Sequence, residues 1–231
     1  MCIRDSRYAL YCLPAPGSRL EAFGRGVLGY DNVSGEPVPH PEGLNVLATV
    51  TAGARTYGFH ATLKAPLRLA AGAIEAGLIA AACDLAAAHP PVAVGPLTVA
   101  ALGAFLALVP EDPPPGLGLL AAECVAALDP FRAPLTEAER AKRRPERLDP
   151  RGRALLDRWG YPYVFEAFRF HMTLTDALPE AERDAWHRRL SEAYAASGPE
   201  PLVIDALGLL TQDGAGPFRL LARLPFGEPR G

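Results

Sequence analysis

One order of elements occurs twice in this 231-residue chain. It limits the possible folds more than any other feature. "HATL" at 60–63 and "HMTL" at 171–174 each sit in a stretch of alternating apolar and polar residues, the period of a half-buried strand. A helical stretch follows each, then two more strands. The repeat is visible even in letters: "PLTVAALG" (96–103) and "PLVIDALG" (201–208) agree at Pro, Leu, Ala, Leu and Gly. A strand–helix–strand–strand unit used twice predicts an α+β fold of two lobes related by a pseudo-twofold. The expected lobes are 46–130 and 160–225, joined by 131–159, in one bilobal domain over 7–225. Residues 1–6, "MCIRDS", do not continue the strand pattern that begins at Arg7 and are expected outside the fold.

Local signals fill in the elements. "RYALYCLP" (7–14) reads as a first strand, and 18–29 as a helix with Ser18 at its N-cap. Strands are expected over 56–67 and 165–175, around a turn at Leu102-Gly103, and in a closing hairpin through "DGAG". Helices are expected over 73–89, 116–128 and 179–197. The segment 132–160 is polar and Arg-rich and reads as two short helices broken near Pro145 and Pro150. Thr136 with Glu139 has the capping-box spacing.

Residues i and i+2 of a strand share a face. His60, Thr62 and Lys64 therefore form one row, backed by Tyr57, Phe59, Ala61 and Leu63. In the second copy the row is Arg169, His171, Thr173 and Thr175, backed by Phe168, Phe170, Met172 and Leu174. The phase is the same in both. If the lobes face each other, both His-Thr pairs converge on one cleft. Two imidazoles can then divide acid and base duty near neutral pH. The hydroxyls can hydrogen-bond non-bridging oxygens, and Lys64 and Arg169 can supply charge for an anion. A phosphate diester fits, because attack and departure lie roughly in line.

Each of these residues also has a plainer reading. Lys64 can be a solvated edge charge, Arg169 a partner of Glu166, and the threonines simple β-formers. Tyr57 has the phase of a core aromatic, and Tyr163 can be one too. His40, His89 and His187 read as incidental: a loop residue, a helix end and a surface position. Lys142, Arg143, Arg144, Arg147, Arg151 and Arg153 alternate with acidic residues, as on a solvated helical face.

A net charge of −3 and a pI of about 6.0 argue against a surface that coats nucleic acid. Cys2, Cys12, Cys83 and Cys124 are scattered without metal-binding spacing, which suits a reducing compartment and buried inert thiols. No apolar run is long enough for a membrane span and no signal-peptide core is present. The expectation is a cytoplasmic protein with no metal, no cofactor and no membrane partner.

The paired His-x-Thr strands in a duplicated frame resemble the 2H phosphoesterase superfamily. "RTYGFHATLKAPLRLA" and "RWGYPYVFEAFRFHMTLT", with "GYDNVSGEP" and "RAPLTEAE", resemble one bacterial branch of it, the DUF1045 group, associated with phosphonate metabolism. The resemblance runs from Arg7 to about Pro225. It implies two lobes with antiparallel sheets lining a central cleft and helices outside. It further implies catalytic His60 and His171, phosphate-binding Thr62 and Thr173, and no metal. The substrate class it suggests is a small cyclic phosphodiester, of a ribose phosphate or a nucleotide. Non-catalytic binding of a phosphate ligand, and processing of RNA ends, are the alternatives.

Overall fold

The computed structural model describes residues 6–44 and 46–227. The expectation for the N-terminus falls mostly on residues 1–5, outside that range. Ser6, however, opens the first strand and pairs with Asp213.

The strands are β1 (Ser6–Cys12), β2 (Ala61–Leu67), β3 (Val92–Gly95), β4 (Leu97–Leu102), β5 (Phe105–Pro110), β6 (Met172–Thr173), β7 (Leu202–Ile204), β8 (Ala206–Asp213) and β9 (Arg219–Pro225). The helices are α1 (Arg19–Leu28), α2 (Leu47–Val50), α3 (Ala52–Arg55), α4 (Glu75–Ala87), α5 (Pro115–Leu128), α6 (Glu137–Lys142), α7 (Pro150–Trp159) and α8 (Glu180–Ala196). Seven strands form one antiparallel sheet in the order β4-β5-β6-β2-β1-β8-β9, and β3 pairs with β7 separately.

The fold class is α+β, as expected, but the lobes are not the sequence repeats. Hairpin β4–β5 of the first repeat lies beside β6 of the second, and hairpin β8–β9 of the second lies on the β2 side. β1 is inserted between β2 and β8. Each half of the sheet thus takes its His-x-Thr strand from one repeat and its hairpin from the other. The boundaries 46–130 and 160–225 describe the repeats and not the halves of the sheet.

Helices α4, α5 and α8 cover one face of the sheet. Leu78, Leu120, Cys124 and Leu190 pack there against Leu10, Ala61, Leu63, Leu108 and Leu209. Each fully buried leucine of this kind contributes about 1.5–3 kcal/mol. Helix ends follow the sequence: Ser18 accepts from Glu21 N–H, and the Thr136–Glu139 capping box forms. Cys124 is buried as expected, whereas Cys83 is exposed.

Both His-x-Thr strands are shorter than their alternation suggests. Thr56 and Tyr57 are in a turn closed by Gly58, whose φ is +69°. The Asn32 side chain occupies the space a Cβ on Gly58 would need. In the second copy Phe165–Ala167 is a 3-10 turn, and only Met172 and Thr173 pair as strand. The apolar residues at these positions are held by turns, which can bury alternate side chains without a ladder.

Candidate functional site

β2 and β6 meet at one pair, Ala61 opposite Met172, both fully buried on the helix side. Continued one residue each way, that register sets His60 across from Thr173, and Thr62 across from His171. The two copies are therefore crossed, each histidine beside the other copy's threonine. Two cavities reflect this. A cavity of about 950 Å³ opens on Thr62 and His171, and one of about 280 Å³ on His60 and Thr173; Phe105 borders both.

The two imidazoles are held in the same way. His60 Nδ1 lies 2.8 Å from the Gly58 carbonyl oxygen, and His171 Nδ1 lies 2.8 Å from that of Arg169. A carbonyl only accepts, so Nδ1 carries a proton in each ring, and a neutral ring leaves its lone pair on Nε2. The left-handed turn at Gly58 aims its carbonyl back at His60. His60 Nε2 is 3.1 Å from Thr62 Oγ1.

Their surroundings differ. Tyr11 of β1 lies opposite Thr62 and stacks on the His60 ring at 3.7 Å between centroids and 21° between planes. Burial lowers the His60 pKa to about 4; the Gly58 hydrogen bond opposes this and the nearby His171 charge adds to it. Among the described residues the one aromatic ring paired with His171 is that of Phe105, tilted and 5.7 Å away. Its side of the cleft carries Arg147, Arg151 and Arg169, along with Tyr161 and Tyr163.

Lys64 is not in the cleft, contrary to expectation. Tyr11 pairs with Thr62 but Leu10 pairs with Lys64, so a bulge leaves Leu63 as an extra residue and turns Lys64 to the helix side. Its ammonium, 3% exposed, donates to Val125 O at 2.9 Å and Asp129 Oδ1 at 3.0 Å. Asp129 also receives Arg132 and Arg158, at 2.8 and 2.9 Å. Burial alone would raise the Asp129 pKa; the hydrogen bonds from Arg132 and Lys64 outweigh it and hold it at about 2.

Thr175 borders the small cavity but is 1% exposed, and its Oγ1 accepts from Leu106 N–H at 3.0 Å. It completes the junction with β5, where its oxygen serves as the acceptor. Arg169 does reach the cleft. Its expected partner Glu166 is instead bound by Arg151. Arg147 and Arg151, read from sequence as part of a solvated face, line the large cavity.

Tyr57 also departs from expectation. It is 36% exposed and stacks on Phe218 at 5.5 Å, walling the His60 side. The turn before His60 removes the phase that would have buried it. Tyr11, Phe105 and Phe218 were not legible as site residues, because no local pattern says which strand lies beside β2. His89 pairs with Glu123, His187 Nε2 meets Val99 O at 2.9 Å, and His40 Nδ1 meets Gly26 O at 3.0 Å; all three serve the fold. Among the described residues no group of three or more His, Cys, Asp or Glu is placed to hold a metal ion. No helix among them is long and apolar enough to cross a membrane.

A family described as "Protein of unknown function (DUF1045)" matches residues 62–219, roughly two thirds of the chain. The chain belongs to the DUF1045 family. The DUF1045 match takes in Thr62, His171 and Thr173, and His60 lies two residues before its start. A protein of Janthinobacterium sp. (strain Marseille) named ribose 1,5-bisphosphate phosphokinase PhnN is 44% identical over 230 residues, covering 96% of this chain and 51% of that protein. The DUF1045 chain spans about half the length of the curated relatives it matches. Two solved structures share 12% identity with it and cover 97% of it. A conserved protein of unknown function from Agrobacterium tumefaciens str. C58 has a TM-score of 0.42 with 90% of its chain covered. Kluyveromyces marxianus Usb1 has a TM-score of 0.39 with 99% covered.

Proposed function

We propose that this chain is a phosphoesterase that opens a cyclic phosphodiester of a small sugar phosphate or nucleotide, using His60 and His171 as base and acid. The observation that carries the reading is the crossed register. It sets two imidazoles and two hydroxyls in one strip, with Nδ1 of both rings held by a backbone carbonyl.

In this mechanism His60 is the base. Its low pKa keeps it neutral at pH 7, and its lone pair is on Nε2. It takes a proton from a water whose oxygen forms the new P–O bond. His171 is the acid: its Nε2 proton passes to the departing ring oxygen as the old P–O bond breaks. The product is a phosphomonoester with a free hydroxyl. Proton exchange with solvent then restores both rings. Thr173 donates to one non-bridging oxygen, and Thr62, whose hydroxyl is the donor in its contact with His60 Nε2, turns to the other once the attacking water takes that place, where charge builds in the transition state.

The kinase name of the longer relatives is not readable in this chain. Its 231 residues contain no Gly-x-x-x-x-Gly-Lys-Ser/Thr loop to cradle a nucleoside triphosphate. We read the chain as a separate activity, acting on a sugar phosphate of the same kind, in the cytoplasm and in phosphonate breakdown.

The test is turnover of ribose 1,2-cyclic phosphate, 2′,3′-cyclic nucleotides and linear diesters by wild type, His60→Ala and His171→Ala. General acid–base catalysis of this type contributes about 10²–10⁴-fold. Each substitution should lower kcat by that order on the preferred cyclic substrate. Near-full turnover in either variant would overturn the paired mechanism. Tight binding of cyclic phosphates with no product would identify a binding protein.

A further inference from the structure

The two sides of the cleft have very different capacity and charge. The His60 side offers about 280 Å³ and no lining cation. The His171 side offers about 950 Å³, near the top of the ~300–1,000 Å³ range of small-molecule sites. A single phosphate does not need that space.

Its charges divide clearly. Glu166 is occupied by Arg151, and the Asp149 carboxylate caps α7 by accepting from Gly152 N–H at 2.6 Å. Arg147 and Arg169 line the same cavity, and among the described residues neither makes an ion pair. Two arginines without an ion-pair partner among the described residues therefore line the space, with Glu166 held by Arg151 and Asp149 capping α7.

The backbone there is strained. Only Arg144 (φ +49°) and Phe165 (φ +54°) are non-glycine residues with positive φ among the described residues. Arg144 begins the turn that carries Arg147. Phe165 begins the turn that leads to Arg169. Such conformations cost on the order of 1–3 kcal/mol each and persist where surrounding structure enforces them. The Phe165 ring packs on Trp159 of α7 at 4.8 Å and joins a cluster with Val125 and Leu155, and the Lys64–Asp129–Arg158 bridge ties the same end of α7 to β2 and the end of α5.

We infer that the wide side of the cleft binds a second phosphate of the substrate, held by Arg147 and Arg169 while the cyclic phosphate lies between the histidines. This rests on the phosphodiester reading above and narrows it to substrates that also bear a phosphomonoester. Guanidinium forks match phosphate oxygens in pairs, which makes Arg the suitable residue.

The experiment compares kcat/KM for ribose 1,2-cyclic phosphate with and without a 5-phosphate. Wild type, Arg147→Ala/Arg169→Ala and the charge control Lys142→Ala are assayed, each checked for folding by circular dichroism. In parallel, calorimetry measures ribose 1,5-bisphosphate against ribose 1-phosphate. The expected result is a preference of tenfold or more for the doubly phosphorylated member of each pair. The double variant should bring both ratios towards one, while Lys142→Ala keeps them. A wild-type ratio near one, or a ratio undiminished in the double variant, would overturn the inference. If plain cyclic phosphates turn over with no such preference, the enzymatic reading stands and the second phosphate site falls. If nothing turns over but the binding ratios behave as expected, the site stands and the hydrolytic reading falls.

Discussion

The His60 and His171 sides of the cleft share one device and differ in everything around it. In both, a backbone carbonyl two residues upstream fixes the proton on Nδ1 at 2.8 Å. Around His60 are Tyr11, Tyr57 and Phe218, which remove water; around His171 are arginines and open space. The duplicated motif therefore sets the tautomer. The unduplicated surroundings lower the pKa of one ring and leave the other beside arginines and open space, the difference on which the proposed division of base and acid rests.

The largest expected effect that sharpens this contrast is kinetic. Beyond the alanine variants, the wild-type kcat/KM should keep its acid limb well below pH 6.5, towards the His60 value of about 4. An acid limb near 6.5 would mean that the aromatic wall does not lower the base.

Next comes stability at the fifth position of each copy, where both residues serve the fold. Asp129→Ala leaves the Lys64 ammonium buried without its carboxylate, and should cost about 3–5 kcal/mol by urea unfolding. Lys64→Met, which removes the charge and keeps the volume, should cost clearly less. If Lys64→Met instead destroys turnover with stability intact, Lys64 belongs to the cleft after all.

The aromatic wall also predicts a pH effect on stability. The His60 pKa lies below its ordinary 6.5. Between pH 6.5 and 4 the unfolded chain takes up a proton that the folded chain refuses. Stability should thus be level above pH 6.5 and fall as pH drops towards 4, by on the order of 2 kcal/mol given a cleft partly open to solvent. His60→Gln should flatten that window. The loss from Asp129, with its pKa near 2, begins only below about pH 4.

Smaller effects remain. Thr175→Val should cost about 1–2 kcal/mol, because it strips Leu106 N–H of its acceptor. Among the described residues Tyr11 Oη is buried without a partner, so Tyr11→Phe should be neutral or slightly stabilising. A fall in kcat with that gain would place the hydroxyl on the substrate.

The sequence carried much of this. Alternation and capping placed most elements, and the repeated His-x-Thr marked the four side chains that the sheet brings together. It failed where a backbone irregularity intervened. A bulge after Thr62 reverses Lys64, and a left-handed turn at Gly58 moves Tyr57 from core to wall. Neither leaves a periodic trace, because each is one residue long.

By itself, then, the chain determined its α+β class, its duplication and the polar row of each motif strand, all of which follow from local periodicity. Which strands adjoin, and so the crossed pairing of His60 with Thr173 and Thr62 with His171, was decided by the tertiary structure. So was the inclusion of Arg147 and Arg151 in the cleft. Strand neighbours depend on burial between segments more than a hundred residues apart, and no local pattern encodes that choice.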